Sequence, residues 1–245
     1  NTKWLEQFAG EYEVNRYAHS DLTMIASLFG RVTISVKDST RLAITSPQET
    51  LYYVPIDSTT FREEFKNDRI AFERDENGKV LRMYNGLLAI IAFDKISAVQ
   101  SATLHYLIFG LVFMLGLVTL TYWPLVAIIR RHYVLGPRAR PPMPPISKVI
   151  AWTNYLLYFL FWVGLIVSLA NPEELVFGIP LALKISLVFP LIMIVTTLGM
   201  ILMAVILVGH KRYRLRGRIF YIVLCLASIL ALWQLNYWNL LGFYY

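Results

Sequence analysis

ATLHYLIFGLVFMLGLVTLTYWPLVAII, residues 102–129, runs for 28 residues without an Asp, Glu, Lys or Arg. At 1.5 Å per residue a helix of that length reaches about 42 Å, more than the roughly 30 Å of hydrocarbon in a bilayer. The run predicts a membrane span with length to spare for tilt. Tyr106 at one end and Tyr122 with Trp123 at the other suit the two interfaces, and Pro124 predicts a local kink. Three more runs follow, over about 150–170, 181–208 and 219–241. The domain pattern is therefore an N-terminal module, 1–96, and a transmembrane domain, 97–245, with four helices.

Composition divides at the same place. The 245 residues are 57% hydrophobic and only 16% charged, against about 25% charged in soluble domains. Residues 1–100 hold 12 Lys and Arg against 14 Asp and Glu, whereas residues 101–245 hold 11 against 2. The surplus basic residues sit in short loops between apolar runs, where they set topology and do not mark a nucleic-acid surface. The first loop, 130–148, carries Arg130, Arg131, His132, Arg138, Arg140 and Lys148 around the stiff Pro141-Pro142-Met143-Pro144-Pro145, which reads as a spacer. The second, Asn171-Pro172-Glu173-Glu174, is acidic, and the third, 210–218, holds five Lys and Arg in nine residues. The expected multi-pass arrangement puts both basic loops in the cytoplasm, and the N-terminal module and C-terminus outside it. The third loop also suits anionic headgroups. The lipid bilayer is the expected partner; nucleic acid is not, and oligomeric state is left open.

Polar residues in the spans are few. Lys184, one turn into the third run, is expected to snorkel to the headgroups, with pairing or transport as the competing reading. Asn154, Gln234, Asn236 and Asn239 are expected to hydrogen-bond between helices. No span holds a carboxylate or a G-x-x-x-G pair, which weakens a transporter reading.

The N-terminal module alternates in the manner of strands. Expected strands cover 10–17, 31–36, 41–45, 50–56, 60–65, 69–74, 79–84 and 87–93, with a helix capped by Ser20-Asp21 and ended at Gly30. Asp75-Glu76-Asn77-Gly78 predicts a hairpin in which Asn-Gly supplies positive φ angles. Phe8, Tyr12, Phe61, Phe65 and Phe72 are the expected core. The fold class is an α+β membrane protein, a small antiparallel β-barrel or sandwich followed by a four-helix transmembrane bundle.

The spacing Leu5-x-x-Phe8-x-Gly10-x-Tyr12, then Phe61, then Ile70-Ala71-Phe72-x-x-Asp75-x-x-Gly78-x-Val80 resembles the tail of β-lactamase-related serine hydrolases. Such proteins are similar to class C β-lactamases and penicillin-binding proteins. Many carry a lipocalin-like β-barrel after the catalytic domain, and some continue into membrane helices. The resemblance, over residues 3–95, implies an accessory and anchoring region of a hydrolase acting on peptides, β-lactams or esters outside the cytoplasm. The chain starts at Asn1 without an initiator Met, a basic n-region or a short apolar h-region, so a signal and the catalytic domain are expected upstream in the same polypeptide.

The chemistry of that group needs a Ser-x-x-Lys nucleophile with a Tyr-x-Asn partner. Ser-x-x-Lys is absent, and Tyr237-Trp238-Asn239 falls at the end of the last span. His19, His105, His132 and His210 are scattered and expected at surfaces or interfaces. Adjacent carboxylates in Glu63-Glu64 and Asp75-Glu76 point apart on a strand and are expected to be solvated. Cys225 is the sole cysteine. No residue is assigned a catalytic, cofactor or metal role. The competing class is a self-contained membrane-bound binding or sensing module whose barrel captures an apolar molecule or partner.

Overall fold

The computed structural model describes residues 2–17, 20–86, 90–133, 143–170, 178–210 and 213–244. His19, the acidic loop at 171–174, most of the proline-rich loop, and Lys211 and Arg212 lie outside the described residues. The chain divides into two compact units, Asn1–His105 and Tyr106–Tyr245.

The first unit is a closed antiparallel barrel of eight strands, each paired with the next and the last returning to the first. The strands are β1 (Gly10–Val14), β2 (Val32–Val36), β3 (Leu42–Thr45), β4 (Thr50–Pro55), β5 (Thr60–Glu63), β6 (Arg69–Arg74), β7 (Val80–Asn85) and β8 (Ala92–Lys95). Closure comes from β1 against β8, with Tyr12 opposite Lys95 and Val14 opposite Phe93. Of the two expected forms, the structure is a barrel, which leaves no strand edge for aggregation.

Eight strands enclose just enough room for side chains to fill. Alternation delivers Tyr12, Ile34, Leu42, Ile44, Tyr53, Phe61, Ile70, Phe72 and Phe93 to the core, and the short helix α1 (Thr2–Leu5) and the turn after it add Leu5 and Phe8. Phe8, Phe61 and Phe72 pack against one another edge-to-face or tilted, with ring centroids 4.6–5.5 Å apart. Burial raises the ionisation of Tyr53 to about 12, with Glu63 opposite it adding to the shift.

Phe65 corrects the expected core. It is 85% exposed, because β5 ends at Glu63 and the inward position two residues after Phe61 belongs to Glu63. Of the expected last strand, 87–89 lie outside the described residues and β8 begins at Ala92, while β1 stops at Val14 instead of Tyr17. The expected helix is present as a 3-10 helix over Leu22–Phe29: Asp21 Oδ1 accepts from the Thr23 N–H at 2.8 Å, and the Gly30 N–H donates to the Ser27 carbonyl.

The β6–β7 hairpin forms, but not with two left-handed residues. Gly78 alone has positive φ, 80°, while Asp75 Oδ1 accepts from the Asn77 and Lys79 N–H groups. This is a longer turn closed by a glycine. It is followed by a bulge, since Glu73 pairs with Arg82 but Arg74 with Val80. The extra residue, Leu81, turns outward, so Val80 and Met83, three apart, both face the core.

Among the described residues from Ala102 onward, α2 (Ala102–His132), α3 (Pro145–Leu169), α4 (Leu181–Gly209) and α5 (Leu215–Tyr237) are four helices long and apolar enough to cross a membrane. Helix α3 begins five residues before its apolar run because Pro145, lacking an N–H, is tolerated in the first turn. Helix α5 similarly takes Arg216 and Arg218 from the expected loop into its first turn. Large apolar side chains such as Leu111, Met114, Val163, Ile166, Val195, Leu202 and Leu226 face outward. Glycines allow close contacts between helices: a Cβ at Gly164 would overlap the Ser186 side chain, and one at Gly116 would lie 2.7 Å from the Phe159 ring. Close approach is thus reached with no G-x-x-x-G pair.

Replacing Gly78 with Ala should cost the barrel about 1–2 kcal/mol, since its φ is left-handed. Asn77→Ala should cost under about 0.5 kcal/mol. Urea unfolding of the detergent-solubilised chain checks this ranking, and equal effects would contradict the turn geometry.

Candidate functional site

Sequence alternation puts Glu11 and Glu13 of β1 on the outer wall, a place normally wet. Glu13 is nevertheless only 4% exposed and Arg31 only 7%. Two segments distant in sequence cover that wall. Arg31, just ahead of β2, sets its Nη2 3.0 Å and its Nε 3.3 Å from Glu13 Oε1. The Tyr17 hydroxyl donates to Glu13 Oε2 at 3.0 Å. The other arm of Arg31 donates to the carbonyl of Gln100, which ends a 3-10 turn over Ala98–Gln100 after β8. His105 is also buried, correcting its expected interfacial place.

Glu11 completes the junction. Its carboxylate accepts from Ser101 Oγ at 2.6 Å, from the Ala102 N–H at 2.8 Å and from Thr103 Oγ1 at 3.4 Å. The negative charge thereby meets the unsatisfied N–H groups and positive dipole end of the first turn of α2. Within the unit Asn1–His105, one strand binds both the entry to β2 and the start of the first long helix.

A recess of about 160 Å³ opens beside the pair, lined by Glu13, Asn15, Tyr17, Asp94, Lys95 and Gln100 among others. Its charged groups are engaged: Asp94 pairs with Arg82, and Lys95 donates to the Gln7 carbonyl at 2.8 Å. Burial also lowers the Lys95 ionisation. With both Glu13 oxygens occupied, the arrangement ties β1 to the entry of β2.

The remaining singled-out residues stay apart. Glu63 is buried at 4%, contrary to the expected solvation, with Lys66 Nζ 3.7 Å away, whereas Glu64 pairs with Arg41 at 3.1 Å. Arg41 also holds Asp38, whose carboxyl lies well below the usual range because the Thr40 N–H and the guanidinium bond to it. Asp75 shapes its turn, while Glu76 is exposed. His132, at the end of α2, and His210, just past the end of α4, are exposed, and Cys225 is buried. Among the described residues no three His, Cys, Asp or Glu side chains converge as metal ligands. Of Tyr237-Trp238-Asn239, the first ends α5 and the last takes a left-handed turn conformation, φ 54°.

Inside the bundle, Asn154 is fully buried. Its amide donates to Thr196 and Thr197 Oγ1, both at 2.8 Å, and its oxygen accepts from Ser228 Oγ at 3.1 Å. Three helices are joined at one residue, as expected of interhelical bonding. Gln234 is buried too, but Asn236 is exposed, and Lys184 is exposed in the first turn of α4.

The chain matches no protein-family model, no curated protein and no solved structure.

Arg31→Ala should destabilise the barrel by about 3–5 kcal/mol by stranding the Glu13 carboxylate, while an apolar replacement of both residues, Glu13→Leu with Arg31→Met, should recover most of that loss. Thermal unfolding of the two variants tests this, and equal losses would show that the charges act independently.

Proposed function

We propose that this chain is the accessory β-barrel and membrane-anchoring region of a β-lactamase-related serine hydrolase, with the catalytic domain ahead of residue 1 in the same polypeptide. Its substrates would be peptides, β-lactams or esters outside the cytoplasm. The observation that carries the reading is a barrel filled by its own side chains, with its outer wall bonded to the start of a membrane helix. Such a module suits presenting and holding.

The residues behind the family resemblance support the same reading by what they do. Leu5, Phe8, Tyr12, Phe61, Ile70, Phe72 and Val80 all belong to the barrel core, and Asp75 and Gly78 form its best-defined turn. They specify a scaffold, which is what an accessory barrel would retain. Of the competing binding-module readings, capture of an apolar molecule inside the barrel requires a cavity where the rings of Phe8, Phe61 and Phe72 lie.

The helices sit in a bilayer in this reading. Arg130 and Arg131 at the end of α2, Lys148 at the start of α3, and Arg214, Arg216 and Arg218 around the start of α5 then face the cytoplasm. The barrel and the C-terminus lie on the opposite side, where cell-wall substrates are found.

A fluorophosphonate or labelled penicillin applied to membranes holding the full-length gene product should mark a polypeptide longer than 245 residues. Residues 1–245 expressed alone should take up no label. Labelling of that shorter chain, or a full-length product without a Ser-x-x-Lys domain, would overturn the proposal.

A further inference from the structure

Each strand of the barrel runs antiparallel to the next, so the connections alternate between its two ends. One end holds the β2–β3, β4–β5 and β6–β7 turns and the entry to β1. These three turns close in the same way: Asp38, Asp57 and Asp75 each accept the N–H two residues on, at 2.8–2.9 Å. Turns of this kind bond their own backbone and suit water. Only the β4–β5 turn among them exposes a large apolar side chain, Ile56.

The opposite end is built differently. Between β1 and β2 the 3-10 helix over Leu22–Phe29 reads LTMIASLF, of which only Leu22 and Ser27 are buried. Phe65 stands between β5 and β6, and Ile90 between β7 and β8. Phe29, Phe65 and Ile90, exposed at 69%, 85% and 71%, are the three most exposed large apolar side chains among the described residues of the unit Asn1–His105. Of the four connections here, only Ser46–Glu49, between β3 and β4, is polar. The three apolar tips leave the ring at separate points around its rim, so no single cleft gathers them. A broad apolar-accepting surface meets all three at once.

We propose that this end of the barrel rests on the bilayer that α2 crosses, with Phe29, Phe65 and Ile90 reaching about 5–10 Å into the boundary between headgroups and acyl chains. The proposal rests on the reading of the long helices as membrane spans. Two features single out lipid as the occupant. Arg31, two residues after Phe29, donates to the Gln100 carbonyl, and α2 begins two residues further on at Ala102, so the apolar segment is tied to the place where the chain enters its first membrane helix. Arg62 and Arg69, paired across β5 and β6 on either side of the turn that carries Phe65, are both exposed and form no ion pair among the described residues, which suits them to lipid phosphates. A domain ahead of residue 1 would instead join the barrel on the side of the polar turns, where the chain enters β1.

Depth-dependent fluorescence quenching of the whole chain in vesicles provides the test. In a Cys225→Ser background, Phe29→Cys, Phe65→Cys, Ile90→Cys and, at the polar end, Ser58→Cys each carry a bimane probe; all four positions are exposed, so the core is spared. The vesicles are phosphatidylcholine with phosphatidylglycerol, prepared with and without brominated acyl chains. The probes at 29, 65 and 90 should emit to the blue of the probe at 58 and lose most of their emission to the brominated lipid, while the probe at 58 keeps its own. Equal quenching at all four positions, or quenching at 58 alone, would overturn the proposal. A blue shift at 29, 65 and 90 without bromine quenching would mean that protein, such as a second copy of the chain, covers this end, and would overturn it too. Flotation through a sucrose gradient reads the spans separately: a chain that does not float with the vesicles removes the spans and this proposal together, whereas one that floats with unquenched probes sinks the proposal and spares the spans.

Discussion

The pairing of β1 with β8 closes the barrel, and the rest of the N-terminal unit depends on that strand being covered on both faces. Inward, Tyr12 fills the core and donates its hydroxyl to the Phe8 carbonyl at 2.7 Å, tying the N-terminal segment to the strand. Outward, Glu13 holds Arg31 and Glu11 holds the first turn of α2. Five residues therefore settle ring closure, core filling and the attachment of the first long helix. The Glu13–Arg31 pair is not a large net source of stability, because desolvating two charges offsets most of their attraction. Its value is specificity, since each charge is tolerated inside only in the presence of the other.

The bundle inverts the logic of the barrel. In water the barrel hides rings and exposes charge, whereas α2 to α5 turn Leu, Ile and Val outward and keep Asn154, Thr197 and Ser228 within. Between helices in hydrocarbon there is no hydrophobic drive, so close contacts and polar bonds must hold the assembly. Gly164 against Ser186 supplies the first, and Asn154 at the meeting of three helices supplies the second.

Much of this was legible in residue order. The four apolar runs, all eight strands and the Asp21 cap could be read because each depends on local periodicity or a local hydrogen bond. Phe65 was misread because the end of β5 is fixed by pairing with its neighbours and not by its own alternation. Glu63 and His105, expected to be solvated and at a surface or interface, are buried by contacts that residue order does not show. Strand alternation tells which side a residue faces, but not whether that side is wet: besides Tyr17, four positions on, Glu13 is bonded by Arg31, 18 positions away. The left-handed angle expected of Asn77 failed because Asp75 Oδ1 captures the following N–H groups and settles the turn in a longer form.

Sidedness is where the account is most directly tested. In a Cys225→Ser background, single cysteines at Glu76, in the exposed β6–β7 turn, and at His210, past the end of α4, can be challenged with a membrane-impermeant maleimide on intact cells. The account predicts labelling at position 76 and none at 210 until the membrane is opened. Labelling at 210 with protection at 76 would place the barrel in the cytoplasm and contradict it.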